Sequence, residues 1–130
     1  MSKTNYLIEV IEAILKEYVD DVSYDEGVRG GPDAKKTIHI IYELPLIRMP
    51  HCKSLYPLEV NVIGYGSVKS TIESLCDDIE NRLDRLYHID DNIQFVSYFN
   101  IKSTVKEDDK KIIRRRLTFE IHLHEKGEIE

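Results

Sequence analysis

Apolar residues at Leu7, Ile8, Val10, Ile11, Ile14, Leu15, Tyr18 and Val19 recur at the spacing of one helix face. That spacing predicts an amphipathic helix over residues of about 5–19. Thr4 or Asn5 offers a side-chain oxygen to the first unpaired backbone N–H groups. Asp20 and Asp21 stand where a helix C-terminus disfavours negative charge, so the helix should stop before them. Val22-Ser23-Tyr24 reads as a short strand. The run from Glu26 through Gly27, Gly30, Gly31 and Pro32 to Asp33 reads as a loop, because glycine supplies positive-φ positions and proline a fixed turn. Thr37-Ile38-His39-Ile40-Ile41-Tyr42 is rich in β-branched and aromatic residues and predicts a strand. Pro45, Pro50 and Pro57 punctuate residues 44–57, which predicts a long irregular loop, the kind that is often functional.

The two-residue alternation returns at Leu58-Glu59-Val60-Asn61-Val62-Ile63-Gly64-Tyr65, with Leu58, Val60 and Val62 on one face. Gly64-Tyr65-Gly66-Ser67 then turns the chain into a second helix. Its apolar stripe runs through Val68, Ile72, Leu75, Cys76, Ile79, Leu83, Leu86 and Tyr87. Ser67 is one candidate cap, and Ser70 with Glu73 matches a capping box. The opposite face, with Glu73, Asp77, Asp78, Glu80 and Asp84 against Arg82 and Arg85, should be solvated. Asp90-Asp91-Asn92 breaks the helix, and two long strands follow, Ile93–Thr104 and Lys111–His124. In the second, Ile113, Leu117, Phe119, Ile121 and Leu123 share a face, while Arg114, Arg116, Thr118, Glu120, His122 and His124 share the other. In the first, Ile93, Phe95, Phe99 and Ile101 share a face that Ser97 interrupts. Strands this long suggest a hairpin whose tip extends beyond the body. Residues 125–130 read as a flexible acidic tail.

One stripe per helix and one face per strand are satisfied by an α+β architecture. It has two helices packed on one face of a single mixed, mainly antiparallel sheet of four to five strands. The element order is α-β-β-β-α-β-β, ending in a long C-terminal hairpin. The sheet's other face should be polar, and either wet or covered. A length of 130 residues makes 1–130 a single domain. With 18 Lys+Arg against 24 Asp+Glu, the net charge of -6 argues against a general nucleic-acid binder. No stretch approaches the ~18 apolar residues of a membrane-spanning helix, and the N-terminus lacks a signal-peptide apolar block. Cys52 and Cys76 cannot build a disulfide framework, which points to a reducing setting.

The candidate chemistry is thin. Cys52 follows His51, but adjacent side chains on an extended chain point apart, and Cys76 falls on the helix stripe as a small core residue. His122 and His124 share a strand face, where a metal would need a third ligand such as His39 on an adjacent strand. Gly64-Tyr65-Gly66-Ser67 lacks the third glycine of a dinucleotide site and the lysine ending of a phosphate loop. Asp25, Glu26, Asp33 and the Asp90-Asp91 pair do not put two carboxylates on one face near a base, which disfavours a nuclease. Arg115 lies in register with Ile113 and Leu117. It must therefore sit beyond the core or meet a carboxylate, for which Glu107, Asp108 and Asp109 are the local candidates. These residues predict no cofactor, no metal and no catalysis. A small ligand-binding or regulatory module using the Gly27–Asp33 loop and the polar sheet face is one reading they leave open.

The order and texture of these segments resemble the tail terminator, or tail-completion and head–tail joining, proteins of long-tailed bacteriophages and prophages. The likeness rests on Leu58-Glu59-Val60-Asn61-Val62-Ile63-Gly64, the helix from Val68 to Leu86, and Arg114-Arg115-Arg116-Leu117-Thr118-Phe119-Glu120-Ile121. It spans nearly the whole chain. The resemblance implies a non-enzymatic hexameric ring that caps the tail tube and meets a head-completion or connector protein. DNA would pass through its lumen without specific binding. It also implies assembly in the bacterial cytoplasm, residence at the head–tail interface of the virion and no membrane contact. Interface candidates are Leu46, Arg48, Met49 and Tyr56 in and beside the proline-punctuated loop, and Arg114, Arg116 and His122 on the polar strand face.

Overall fold

The computed structural model of the chain describes residues 3–24, 38–44, 55–65, 68–106 and 111–124. Its elements are α1 (Lys3–Leu15), β1 (Val22–Tyr24), β2 (His39–Glu43), β3 (Leu55–Tyr65), α2 (Lys69–Leu83), β4 (Leu86–Ile89), β5 (Gln94–Val105) and β6 (Ile112–His124). The strands form one sheet in the order β1-β2-β3-β6-β5-β4. Only β1 with β2 is parallel; the other pairings are antiparallel. The α+β expectation is met with six strands where the sequence suggested four or five.

Both helices contribute to one core on one side of this sheet. Leu7, Ile11 and Leu15 of α1 and Ile72, Cys76, Ile79 and Leu83 of α2 join Ile40, Tyr42, Leu58, Val60, Val62, Phe95, Leu117, Phe119 and Ile121. Burying each such aliphatic side chain is worth about 1.5–3 kcal/mol. The Tyr42 hydroxyl donates to Glu12 Oε1 of α1 at 3.1 Å, and burial, with the Glu12 carboxylate beside it, pushes that phenol up. Gly64 lets α2 close onto β3: a Cβ there would lie 2.9 Å from Ile72 Cδ1 and 3.0 Å from Val68 Cγ2. Cys76 is a buried free thiol, and burial raises it to about 11, so it packs rather than reacts.

Several boundaries differ from the sequence pattern. The first helix spans Lys3–Leu15, so Thr4 and Asn5 lie inside it, and Lys16 to Tyr18 form a tightened turn with Glu17 N–H to Ile14 O and Tyr18 N–H to Leu15 O. Val68 holds the N-cap position of α2 without a side-chain hydrogen bond, so the Ser70–Glu73 box does not open the helix, and Ser67 lies outside the described residues. The second helix stops at Leu83 because Arg85 takes a left-handed φ of 58° and redirects the chain. Leu86 and Tyr87 therefore belong to an additional strand, and Asp90-Asp91-Asn92 turns β4 into β5 rather than ending a helix. The loop assigned to 44–57 is shorter at its end: Leu55 to Pro57 already pair with β6. Pro57 lies beyond the reach of β2, on the open edge of β3, where a missing N–H is tolerated.

A bulge between Phe99 and Ile101 changes the inside-out order of β5. Phe99 pairs with Phe119 on the helix side, but Ile101 pairs with Thr118 and faces the other way. Lys102 takes the helix side instead. The hairpin does not stand free either, because β3 accompanies β6 as far as the Tyr65–Ile112 pair. What is open is the outer edge of β5 beyond Ser97, where β4 ends. Arg115 finds its carboxylate on α2 rather than in 107–109, with its Nε 2.7 Å from Glu73 Oε1. Lys102 Nζ reaches Glu73 Oε2 at 3.3 Å and Asp77 at 3.9 Å. Partial burial would raise the Glu73 carboxyl, but the hydrogen bonds from Lys102 and Arg115 outweigh it and hold it below its ordinary value.

Candidate interaction surface

The sheet face turned away from the helices is built by strand alternation. It carries Glu43 of β2, Leu55, Pro57, Glu59, Asn61 and Ile63 of β3, and Arg114, Arg116, Thr118, Glu120 and His122 of β6. Val96, Tyr98 and Ile101 of β5 and Tyr87 and Ile89 of β4 complete it. Two halves of this face differ. Toward β2, Ile41, Asn61 and Ile63 are buried, whereas toward β4 the face lies open.

Of the five large apolar side chains left exposed among the described residues, four lie on the open half: Tyr87 (57% exposed), Ile89 (62%), Tyr98 (44%) and Ile101 (56%). The expectation of a polar second face therefore holds for β6 but not for β4 and β5. Tyr98 meets the His122 ring edge-on, with centroids 5.6 Å apart. Gln94 Nε2 donates to the Tyr87 hydroxyl, so the polar end of that ring is engaged while its body stays exposed. Beside this strip the bulge opens a depression of about 470 Å³ between β3, β6 and β5. Leu55, Pro57, Ile101 and Phe119 give it apolar walls, and Glu59 and Glu120 stand on its rim.

Asn61 organises the other end of β6. Its Oδ1 accepts from Arg114 Nε at 3.0 Å and Arg116 Nε at 3.2 Å, and its amide donates to Ile41 O at 3.4 Å. The acceptor that the two guanidiniums share is thus a neutral amide oxygen.

Among the sequence-derived candidates, Arg114, Arg116 and His122 thus share this face. Tyr56 does not: it is half-buried on the helix side and packs against the core. Leu46, Arg48 and Met49 lie outside the described residues, as do Cys52, the Gly27–Asp33 loop, Asp25, Glu26 and the 125–130 tail. His39 stands on β2 in contact with Asp21, separated from β6 by β3, so it does not join His122 in a metal site. Among the described residues no group of three or more His, Cys, Asp or Glu side chains is placed to hold a metal ion. No described helix is long and apolar enough to cross a membrane. Sequence reasoning missed Tyr87, which fits a helix stripe, Ile89, which it assigned to no face, and Ile101, which the bulge turned outward. It also missed the role of Asn61, whose only signal was a polar residue on a strand of apolar neighbours.

The sequence matches no family model and no curated protein. Solved structures do match in fold. A chain from the virion of a native gene transfer agent particle superimposes with a TM-score of 0.59 at 15% identity, covering 85% of this chain and 84% of that one. A second solved chain gives a TM-score of 0.55 at 11% identity, over 91% of this chain and 97% of the other. At these identities the likeness is one of fold.

Proposed function

We propose that the protein is a structural component of a phage or phage-like virion, acting as a ring that closes the tail tube and joins it to the head. The observation that carries this reading is the concentration of Tyr87, Ile89, Tyr98 and Ile101 on one half of one sheet face. Contiguous apolar surface of this kind marks a contact between macromolecules. The fold shared with a chain of a gene transfer agent virion supports placing that contact inside a particle. In this reading the protein performs no chemistry. Its mechanism is complementary surfaces repeated by rotational symmetry, and its partners are further copies of itself, the tail tube and the head-side connector. A net charge of -6 per subunit would make the ring repel DNA, which suits a lumen the genome must traverse without sticking. The ring would assemble in the bacterial cytoplasm and remain at the head–tail interface.

Negative-stain microscopy of the purified chain, alone and mixed with tail tubes, tests the proposal. The expected result is closed rings, free or seated on tube ends. Chains that form no ring and ignore tail tubes would rule it out. The depression near the bulge has the volume of a small-molecule site. A melting temperature raised by nucleotides or metabolites, without ring formation, would instead favour a ligand-binding module.

A further inference from the structure

The outer edge of β5 opens where β4 ends, because β4 pairs only with Gln94 to Ser97. Asp84 Oδ1 accepts the Phe99 N–H at 2.9 Å and closes the first stretch beyond. Past the bulge, residues 101–105 pair with β6 on one side and with no strand among the described residues on the other. The Phe99 N–H also fixes which backbone groups point outward. Phe99 stands opposite Phe119, Lys102 opposite Leu117 and Thr104 opposite Arg115, at intervals of two along β6. Antiparallel hydrogen bonding alternates with that period, so Lys102 and Thr104 turn their N–H and C=O to the open side. Sheet edges are ordinarily blunted by proline, by a bulge or by a projecting charge. Residues 101–105 hold no proline and lie beyond the bulge. Their one charge, Lys102, is bent onto Glu73 and Asp77 of α2. Ile101, in the same segment, is 56% exposed.

We propose that this edge takes the same edge of a second copy, the two segments 101–105 pairing antiparallel about a two-fold axis at Ser103. The segment's own register selects that partner. Residues opposite each other in a sheet share a face, so the axis passes through a residue rather than between two. An axis at Lys102 would oppose two lysines, and one at Ile101 would run into Phe99 and Asp84. An axis at Thr104 or Val105 would leave Ile101 and Lys102 without partners in β5. Ser103 alone lets the whole segment match itself. Ile101 then meets Val105 of the second copy on the open face, at both ends of the contact. Lys102 and Thr104 exchange backbone hydrogen bonds, and the two Ser103 side chains meet on the axis with no like charges opposed. A two-fold contact closes on itself, so this pairing goes beyond the ring reading and neither builds the ring nor requires it.

Cysteine cross-linking of the full chain tests the axis directly. Across a pair that is not hydrogen-bonded, Cα atoms stand about 4.5 Å apart, within disulfide reach. In a Cys52→Ser background, Ser103→Cys should therefore give a covalent dimer on mild oxidation with copper phenanthroline. Thr104→Cys, one position along, should give little. Sedimentation equilibrium of the parent should show a monomer–dimer balance. Thr104→Pro removes one outward N–H, which an edge strand tolerates in its own fold. Ile101→Lys removes the apolar match at a site already exposed. Each should raise the dimer dissociation constant by about tenfold or more, with circular dichroism showing that the chain is folded. Should Thr104→Pro unfold, Ile101→Lys and the cross-link carry the test. A parent that stays monomeric would overturn the proposal and leave the edge to a strand of another protein. A dimer indifferent to both variants, or one that links through Thr104→Cys instead, would overturn it too. Closed rings without the Ser103→Cys link would keep the ring and discard this pairing. Dimers linked at that position that never form rings would do the opposite.

Discussion

Asp90 holds the β4–β5 turn through three hydrogen bonds. Its Oδ2 meets His88 Nε2 at 2.7 Å, and its Oδ1 accepts from the backbone N–H groups of Ile93 at 2.9 Å and Asn92 at 2.7 Å. The His88 contact, followed by the Ile93 and Asn92 N–H groups, holds the carboxyl down at about 2. The folded chain thus ionises this group more readily than the unfolded one. Its stabilisation is complete above about pH 4 and is lost as pH falls toward 2. Asp90 is 37% exposed, so solvent screening limits the effect to about 1 kcal/mol or less. Urea unfolding of Asp90→Ala should show a deficit of that size at neutral pH that shrinks through this acid window; a deficit constant with pH would contradict the assignment. Arg115 marks the limit of reading at this scale. Its place among core positions required a carboxylate, but nothing local could indicate Glu73, because that pairing depends on how α2 crosses the sheet.

At the scale of elements, the periodic segments were legible and their ends were not. Leu83, Leu86 and Tyr87 satisfy helical spacing, yet Leu86 to Ile89 is also a short alternating strand. Four residues cannot distinguish the two periods. Pairing with Gln94 to Ser97 decided the matter, with Arg85 turning the chain. The bulge at Phe99/Ile101 is likewise set by the β6 partner, since an extra residue in one strand leaves no mark in that strand's own pattern. The seat of α2 on β3 makes a sharper prediction. Gly64→Ala should lower stability by about 1–3 kcal/mol through overpacking against Ile72 and Val68. Adding Ile72→Val, which removes the Cδ1 atom at 2.9 Å, should recover part of that loss. Thermal denaturation of the two variants measures both; an unchanged Gly64→Ala would show that α2 shifts freely.

At the scale of the whole molecule, one sheet face is buried beneath both helices and the other is divided into covered and open halves. Side chains on the open half contribute little to the core, so changing them should separate assembly from folding. Ile89→Asp with Tyr98→Asp is expected to leave the melting temperature within about 2–4 °C of the parent while abolishing the self-association into rings that we propose for the chain. A large fall in melting temperature would instead place those residues in the fold's own stability.

The sequence by itself determined the class of this protein: two amphipathic helices, long alternating strands, one core and an acidic net charge. These follow from periodicities of 3.6 and 2 residues and from composition, which are properties of the chain alone. Only the tertiary structure decided that Leu86 to Ile89 is a strand, that Ile101 faces outward and that Asn61 joins two arginines. It also decided that the exposed apolar residues gather on one half of one face. Each of these depends on which strand lies beside which, and residues far apart in sequence set that pairing.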